Sequence, residues 1–382
     1  MTKADPIRHL ETTLAGFISG KVADESAFNR AALGSYRLQS SAVPAYSGYL
    51  RYLGVNPSMT EGWRAIPPVP TSAFKTHDLS AATAGSETVT FETSGTTISR
   101  PGRVRLSSTA LYETSLLRSF GAHLIPDGAK LPALVFGPTR AEAPRSSLWF
   151  MADRIVENLT TGGTWVVRGG GPQWDLADQG LERSMKGGAP ILLLGTTLLF
   201  MAYFERLAAK GRSFALPTGS RAMDTGGAKG QHAEFTRAEV ESSFARYLGI
   251  PHSHLVNEYG MAEMGSQFYG DNLLAAHEGR APKQGKKIPP WVRTRVLHPE
   301  TMEELPDGER GILVHYDLAN CEIPLAIQTE DIGSRVGDRL LLEGRLLGAE
   351  ARGCSLAFER FLEGEGRAGG ARPGLPTAGR QR

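Results

Sequence analysis

The chain has 382 residues, 41% hydrophobic and 21% charged, with 45 Gly and 23 Pro. That composition is globular and long enough for two or three core-bearing units, and it excludes a disordered chain, a collagen-like polymer and a repeat array. The net charge of +2 resides in the last 22 residues, Phe361 to Arg382, with four Arg and two Glu, and the neutral body has no basic stripe with interleaved aromatics, which argues against nucleic acid as partner.

The opening, Ile7 to Leu53, has helical spacing at Leu10, Leu14, Phe17 and Ile18 and again at Phe28, Ala31, Ala32 and Tyr36. WRAIPPVPTSAF follows, in which Pro67, Pro68 and Pro70 forbid a helix and predict an extended connector. From Thr88 onward strands are predicted at Thr88 to Glu92, Ala133 to Gly137, Thr164 to Arg168, Ile191 to Leu194 and Leu255 to Glu258. Helices are predicted between them at Ser147 to Leu159, Thr197 to Ala209 and Thr236 to Leu248, an alternation that argues for α/β layers with parallel strands. After Trp291 strands appear without long helices, at Val292 to Leu297, Gly311 to Tyr316 and Arg339 to Leu342. The expected organisation is a helical entry plus α/β core over 1–290, a small β-rich subdomain over 291–358 and a disordered Gly/Arg-rich tail over 359–382.

The longest apolar stretch, Ile191 to Phe200, is about ten residues against the roughly 20 that span a bilayer. The N-terminus carries His, Asp and Glu early and lacks the apolar core of a secretory signal. Cys321 and Cys354 are the two cysteines, too few for a disulfide scaffold or a Cys-rich zinc site. A cytoplasmic location with no membrane span is expected.

GEGRAG, Gly364 to Gly369, fits a dinucleotide pattern but has neither a strand before it nor a helix after it, and no GxxxxGK[ST], GxSxG or HExxH occurs. Three other clusters carry chemistry. In FETSGTTISRPGRVR, a strand runs into Thr93, Ser94, Gly95, Thr96 and Thr97, small hydroxyl residues around a glycine that suit either a phosphate site or a plain Ser/Thr turn. MDTGGAKG places Gly226 and Gly227 after a strand with Lys229 nearby, and NEYGMAEMGSQFY brackets a glycine turn with Tyr259 and Glu263.

In this order and spacing the clusters resemble the adenylate-forming superfamily of acyl-CoA and acyl-protein ligases. TSGTT is similar to its phosphate loop, and YGMAE to the motif whose Tyr-Gly stretch lies along adenine and whose Glu, here Glu263, helps hold Mg2+. TEDIG, Thr329 to Gly333, is similar to the motif whose Asp, here Asp331, binds the ribose hydroxyls. GRLLGAEARG, Gly344 to Gly353, resembles the hinge, with Arg345 at the position of its arginine. Within the superfamily the resemblance is closest to the acyl-protein synthetases of bacterial bioluminescence, through FETSGTT, DTGGAKGQ, NEYGMAEMGSQFY and RGCSL, over about residues 10–358.

The resemblance implies an α/β fold with a large adenylate-forming domain, a small β-rich subdomain and no full C-terminal lid, since 28 residues follow Cys354. It implies ATP and Mg2+ as cofactors, a carboxylic and specifically fatty acid as substrate, and adenine held by Gly226, Gly227, Asn257, Glu258, Tyr259 and Gly260. Lys229 would be the best-placed local substitute for the lid lysine. Cys354 would receive the acyl group from the adenylate and pass it to an acyl reductase; its alternative role is a buried small hydrophobe. Two other readings stay open, a ligase that delivers to CoA or a carrier protein and a non-catalytic nucleotide-binding subunit. The sequence departs from the pattern in lacking the glycine and lysine after TSGTT, which leaves Arg103 or Arg105 to meet phosphate, in Ala262, and in the absent hinge aspartates.

Overall fold

The computed structural model describes residues 4–20, 24–82, 89–93, 101–226 and 235–345. Within the entry helices α1 (Ala4–Ser19), α2 (Glu25–Ala42) and α3 (Pro44–Tyr52), the apolar stripe read from the sequence turns inward, with Leu14, Ile18, Phe28, Ala32 and Tyr36 fully buried. Asp24 starts α2 by accepting the Ala27 N–H at 2.7 Å. The Pro-rich connector is extended where it passes the sheet: β1 (Val69–Pro70) pairs only with a late strand and is followed by the single turn α4 (Ala73–Thr76). An edge position suits Pro70, which has no N–H to donate.

A separate antiparallel pair, β2 (Val89–Glu92) and β3 (Arg103–Leu106), precedes α5 (Ala110–Leu124). The α/β region then runs β4 (Ala133–Pro138), α6 (Ser147–Leu159), β5 (Gly163–Arg168), β6 (Gly171–Pro172), α7 (Trp174–Gly187), β7 (Leu192–Thr196), α8 (Thr197–Ala209), β8 (Arg221–Thr225), α9 (Arg237–Leu248) and β9 (Leu255–Tyr259). Helices α6 and α8 coincide with their predicted ranges, and Thr236 stands just outside α9 as its cap, closing a capping box with Glu239. Helices α5 and α7 were not anticipated. Ser115 and Ser119 interrupt the buried stripe of α5, and α7 buries Ala177, Asp178, Gly180 and Ser184 beside a single leucine, Leu181, so neither shows a continuous apolar period.

Strands β5, β4, β7, β8 and β9 lie parallel in that order. Their residues alternate between two cores: Leu134, Phe136 and Leu193 share one with α7, α8 and α9, while Val135, Leu192 and Leu194 belong to the core that includes α5, α6, the entry helices and the β-rich part. Both faces being covered explains the nearly uninterrupted apolar runs. Beyond β9 the sheet turns antiparallel through β10 (Phe268–Gly270), followed in the chain by α10 (Asn272–His277), and continues through β11 (Lys286–Lys287). It then takes in β12 (Val292–Leu297), β13 (Gly311–Asp317), β14 (Ala326–Val336) and β15 (Arg339–Arg345), with β15 next to β11 and β12 at the far edge. The longest of these, β14, was not anticipated as a strand, because Gln328, Thr329, Asp331 and Ser334 are polar yet buried.

No described helix is long and apolar enough to cross a membrane. The tail 359–382 lies outside the described residues. The turn into β11 depends on Gly285, whose φ is +82° and where a Cβ would stand 2.7 Å from the Leu340 carbonyl oxygen. Replacing Gly285 with Ala is expected to cost about 2 kcal/mol through that strain and clash, measurable as a lower urea midpoint with an unchanged slope.

Candidate active site

The carboxyl ends of the parallel strands β8 and β9 face the same way, the place where open α/β sheets bind ligands. The chain leaves β8 at Gly226 with φ +84°, a conformation that favours glycine, and the Gly226 carbonyl accepts from the Thr197 hydroxyl at 2.8 Å. On β9, Asn257 and Glu258 lie opposite Asp224 and Thr225. Thr225 donates its hydroxyl to the buried Glu258 carboxylate. Gly260 makes room for that carboxylate, since a Cβ there would stand 2.5 Å from Glu258 Oε1.

Asn257 is held at both ends. Its amide nitrogen donates to Asp224 O at 3.2 Å and Asp224 Oδ2 at 3.0 Å, while Lys286 donates to its main-chain oxygen at 3.2 Å and also to its side-chain oxygen. Asp224, 1% exposed, also accepts from Arg237 Nη1 at 2.8 and 2.9 Å and from Thr197 at 2.9 Å. Burial among these groups pushes the Lys286 ammonium down to about 8, against the pull of Asp224 and Glu258. Sequence reasoning missed Lys286 and Arg237, and no motif marks them. Their signal is tertiary: Lys286 meets Asn257 near Asp224 and Glu258, and Arg237 pairs with Asp224 and Glu241.

Three residues expected from three separate motifs meet in one cluster. Tyr259 at the end of β9 donates its hydroxyl to Asp331 Oδ2 at 2.8 Å, and Arg345 at the end of β15 donates Nε to Asp331 Oδ1 at 2.9 Å. Asp331 and Arg345 are register partners across β14 and β15, so the sheet itself sets their distance. Burial, and then the Asp331 charge, hold the Tyr259 phenol well above its ordinary value, keeping it a hydrogen-bond donor. A carboxylate has about four acceptor sites, so Asp331 keeps capacity for further donors such as ribose hydroxyls.

Glu263 is buried in the turn that follows Gly260, with its main-chain oxygen accepting from Asn320 Nδ2 at 2.9 Å. Among the described residues no group of three His, Cys, Asp or Glu could hold a metal ion. A single carboxylate fits Mg2+ that arrives on nucleotide phosphates, the usual way this ion is bound, rather than a resident metal cage. Thr93 closes the base of its loop: its N–H donates to Gly102 O at 2.9 Å and its hydroxyl accepts from the Gly102 N–H at 2.9 Å. Ser94, Gly95, Thr96, Thr97, Gly227, Lys229 and Cys354 lie outside the described residues. Arg105 is committed to Asp78, whereas Arg103, 3.3 Å from Glu92, keeps its side chain largely in solvent. Cys321 lines a cavity of about 20 Å³ with Tyr112, Ala262 and Met264. Burial pushes its thiol strongly up, so it stays protonated and a poor nucleophile, in keeping with a packing role.

Beneath the turn is a buried polar knot. Ser266 donates to Asp317 Oδ1 at 2.7 Å, and Trp291 Nε1 reaches Ser266 at 2.9 Å and Ser115 at 3.1 Å. Asp317 Oδ2 has no partner among the described residues, and burial pushes the carboxyl up to about 6. A raised acid favours the fold while protonated, so its contribution is present at low pH and is lost as pH rises through about 6. His315, neutral and lowered by burial to about 4, acts in the opposite sense. Relative to wild type, Asp317→Asn should therefore gain about 1 to 2 kcal/mol of unfolding free energy between about pH 5 and pH 8, read from paired urea titrations.

The chain resembles known proteins along most of its length. The model of the family described as acyl-protein synthetase, LuxE, matches residues 19–362. A long-chain-fatty-acid--luciferin-component ligase of Vibrio harveyi is 24% identical over 87% of this chain and 87% of its own. The protein of the same name from Aliivibrio fischeri is 26% identical over 78% and 79%. Among solved structures, a 2-hydroxyisobutyryl-CoA ligase in complex with 2-HIB-AMP superposes with a TM-score of 0.62 at 15% identity, over 85% of this chain and 69% of that one, a likeness of fold. The chain therefore belongs to the LuxE acyl-protein synthetase family and is a ligase with the adenylate-forming fold.

Proposed function

We propose that the protein activates a carboxylic acid, a fatty acid by class, as its acyl-adenylate and then carries the acyl group on Cys354 for delivery to a partner reductase. The observation that carries the reading is the meeting of Tyr259, Asp331 and Arg345, residues of three motifs far apart in sequence, around one buried carboxylate. The family supports acid activation through acyl-AMP.

A carboxylate is a poor acyl donor because its leaving group would be oxide. In the first half-reaction a carboxylate oxygen bonds to the α-phosphorus of ATP and pyrophosphate leaves. Two anions must be brought together, and the hydroxyls and N–H groups of Ser94 to Thr97, the Thr93 hydroxyl and the Lys229 ammonium would offset their repulsion. Mg2+ held at Glu263 would supply further charge neutralisation at the phosphates. Adenine would lie along Gly226, Gly227, Asn257, Glu258, Tyr259 and Gly260, with Asp331 on the ribose and Arg345 fixing Asp331. In the second half-reaction the Cys354 thiolate bonds to the acyl carbon and AMP leaves, with Arg352 close in sequence to favour the thiolate.

The direct test is the intact mass of the protein after incubation with MgATP and a pool of carboxylic acids in the absence of CoA. The expected result is a hydroxylamine-labile acyl increment on Cys354, lost in Cys354→Ser while acid-dependent pyrophosphate release persists. Pyrophosphate release without an increment would redirect the assignment to transfer onto CoA or a carrier protein, and silence in both signals would favour a non-catalytic subunit. Asp331→Asn should weaken ATP binding about tenfold, about 1.4 kcal/mol, by equilibrium titration.

A further inference from the structure

Asn320 occupies the loop between β13 and β14, 3% exposed, and touches both ends of the turn that carries Glu263. Its Nδ2 donates to Glu263 O at 2.9 Å and to Pro324 O at 3.3 Å, and its Oδ1 accepts the Gly265 N–H at 2.9 Å. We propose that Asn320 is a positioning residue of the nucleotide site: its amide clamps the Glu263–Gly265 turn and so aims the Glu263 carboxylate. The inference rests on the role given to Glu263 in the preceding section.

The clamp requires an amide. Aspartate would keep the acceptor for Gly265 but lose the donor to Glu263 and add a charge beside its carbonyl. The two segments also touch directly, since a Cβ on Gly265 would stand 2.7 Å from the Ala319 Cβ and 2.8 Å from the Ala319 oxygen. The residue after Gly265 is tied to the same loop, because Ser266 and the Ala319 N–H share Asp317 Oδ1 at 2.7 and 2.9 Å.

The loop is itself held from outside the site. Gln39 on α2, 1% exposed, donates Nε2 to Asn320 O at 2.7 Å and Cys321 O at 3.2 Å and accepts the Leu325 N–H at 3.0 Å. Glu322 fixes the far side by accepting the Ser107 and Ser108 N–H groups. A relay of buried hydrogen bonds thus runs from α2 through Gln39 to Asn320 and on to the Glu263 turn. Outer partners of this kind, which orient a metal-facing carboxylate without touching the ion, typically govern metal affinity by 10- to 100-fold.

The test uses Mn2+ as a spectroscopic stand-in for Mg2+, titrated by electron paramagnetic resonance with the full-length protein and ATP. Asn320→Ala is expected to weaken Mn2+ binding to the ATP complex about tenfold while leaving metal-free ATP affinity within about twofold of wild type, with faster amide exchange at Gly265. Gln39→Leu, one hydrogen bond further out, provides the second variant and should show the same selective loss at smaller size. Unchanged metal affinity in folded variants overturns the proposal, as does an equal loss of ATP and metal affinity, the signature of a merely structural role. Failure of the wild-type protein to bind ATP at all overturns the adenylation reading and the proposal with it.

Discussion

A carboxylate taken out of water must be matched, and the Asp331 carboxylate is matched from two directions at once. Tyr259 reaches it from the last parallel strand and Arg345 from the antiparallel arm, so one buried charge ties the two halves of the sheet at the site. Losing either donor would leave the charge partly unpaired. Breaking a buried pair costs more than making it contributes, which makes this cluster a point of geometric control rather than a source of bulk stability.

The same constraint organises the floor of the site. Asp224 is answered by Arg237, Thr197 and Asn257, and Asn257 by Lys286. Each partner comes from a different element, α9, α8, β9 or β11, so the side chains near the expected adenine position are set by packing of the whole α/β region. The apolar alternation of β4 and β7 supplies the rigid platform underneath, with each strand buried on both faces. Polar groups are concentrated at strand ends, where the platform stops.

Much of this was legible in the sequence because it rests on local pattern. Strand and helix periods locate α6 and α8 and most of the parallel strands, and local motifs mark Tyr259, Asp331 and Arg345, which the fold then brings together. The strand β14 escaped because hydropathy reads Gln328, Thr329 and Asp331 as surface residues, whereas all three are buried, with Thr329 donating to Leu313 O and Asp331 accepting from Tyr259 and Arg345. Ser115 hid α5 for the same reason: it is a small polar residue in a buried stripe, accepting from Trp291. Lys286, Asn320 and Gln39 carry no motif at all. Their meaning lies in partners tens or hundreds of residues away, which no local window contains.

The link from Gln39 to the Asn320 loop spans 281 residues, and β1 meets β14 over a comparable stretch. During synthesis the N-terminal helices leave the ribosome long before their counterparts exist. At roughly 5–20 residues per second, α2 waits on the order of a quarter of a minute to a minute for the loop that satisfies its buried glutamine. In that interval its apolar face can already meet α3 and Trp63, but the Gln39 amide has only water, or a chaperone, for company. The nascent chain can close the Glu263–Gly265 turn only after the Asn320 loop has been made, so a product truncated before that loop would lack the hydrogen bonds that hold the turn.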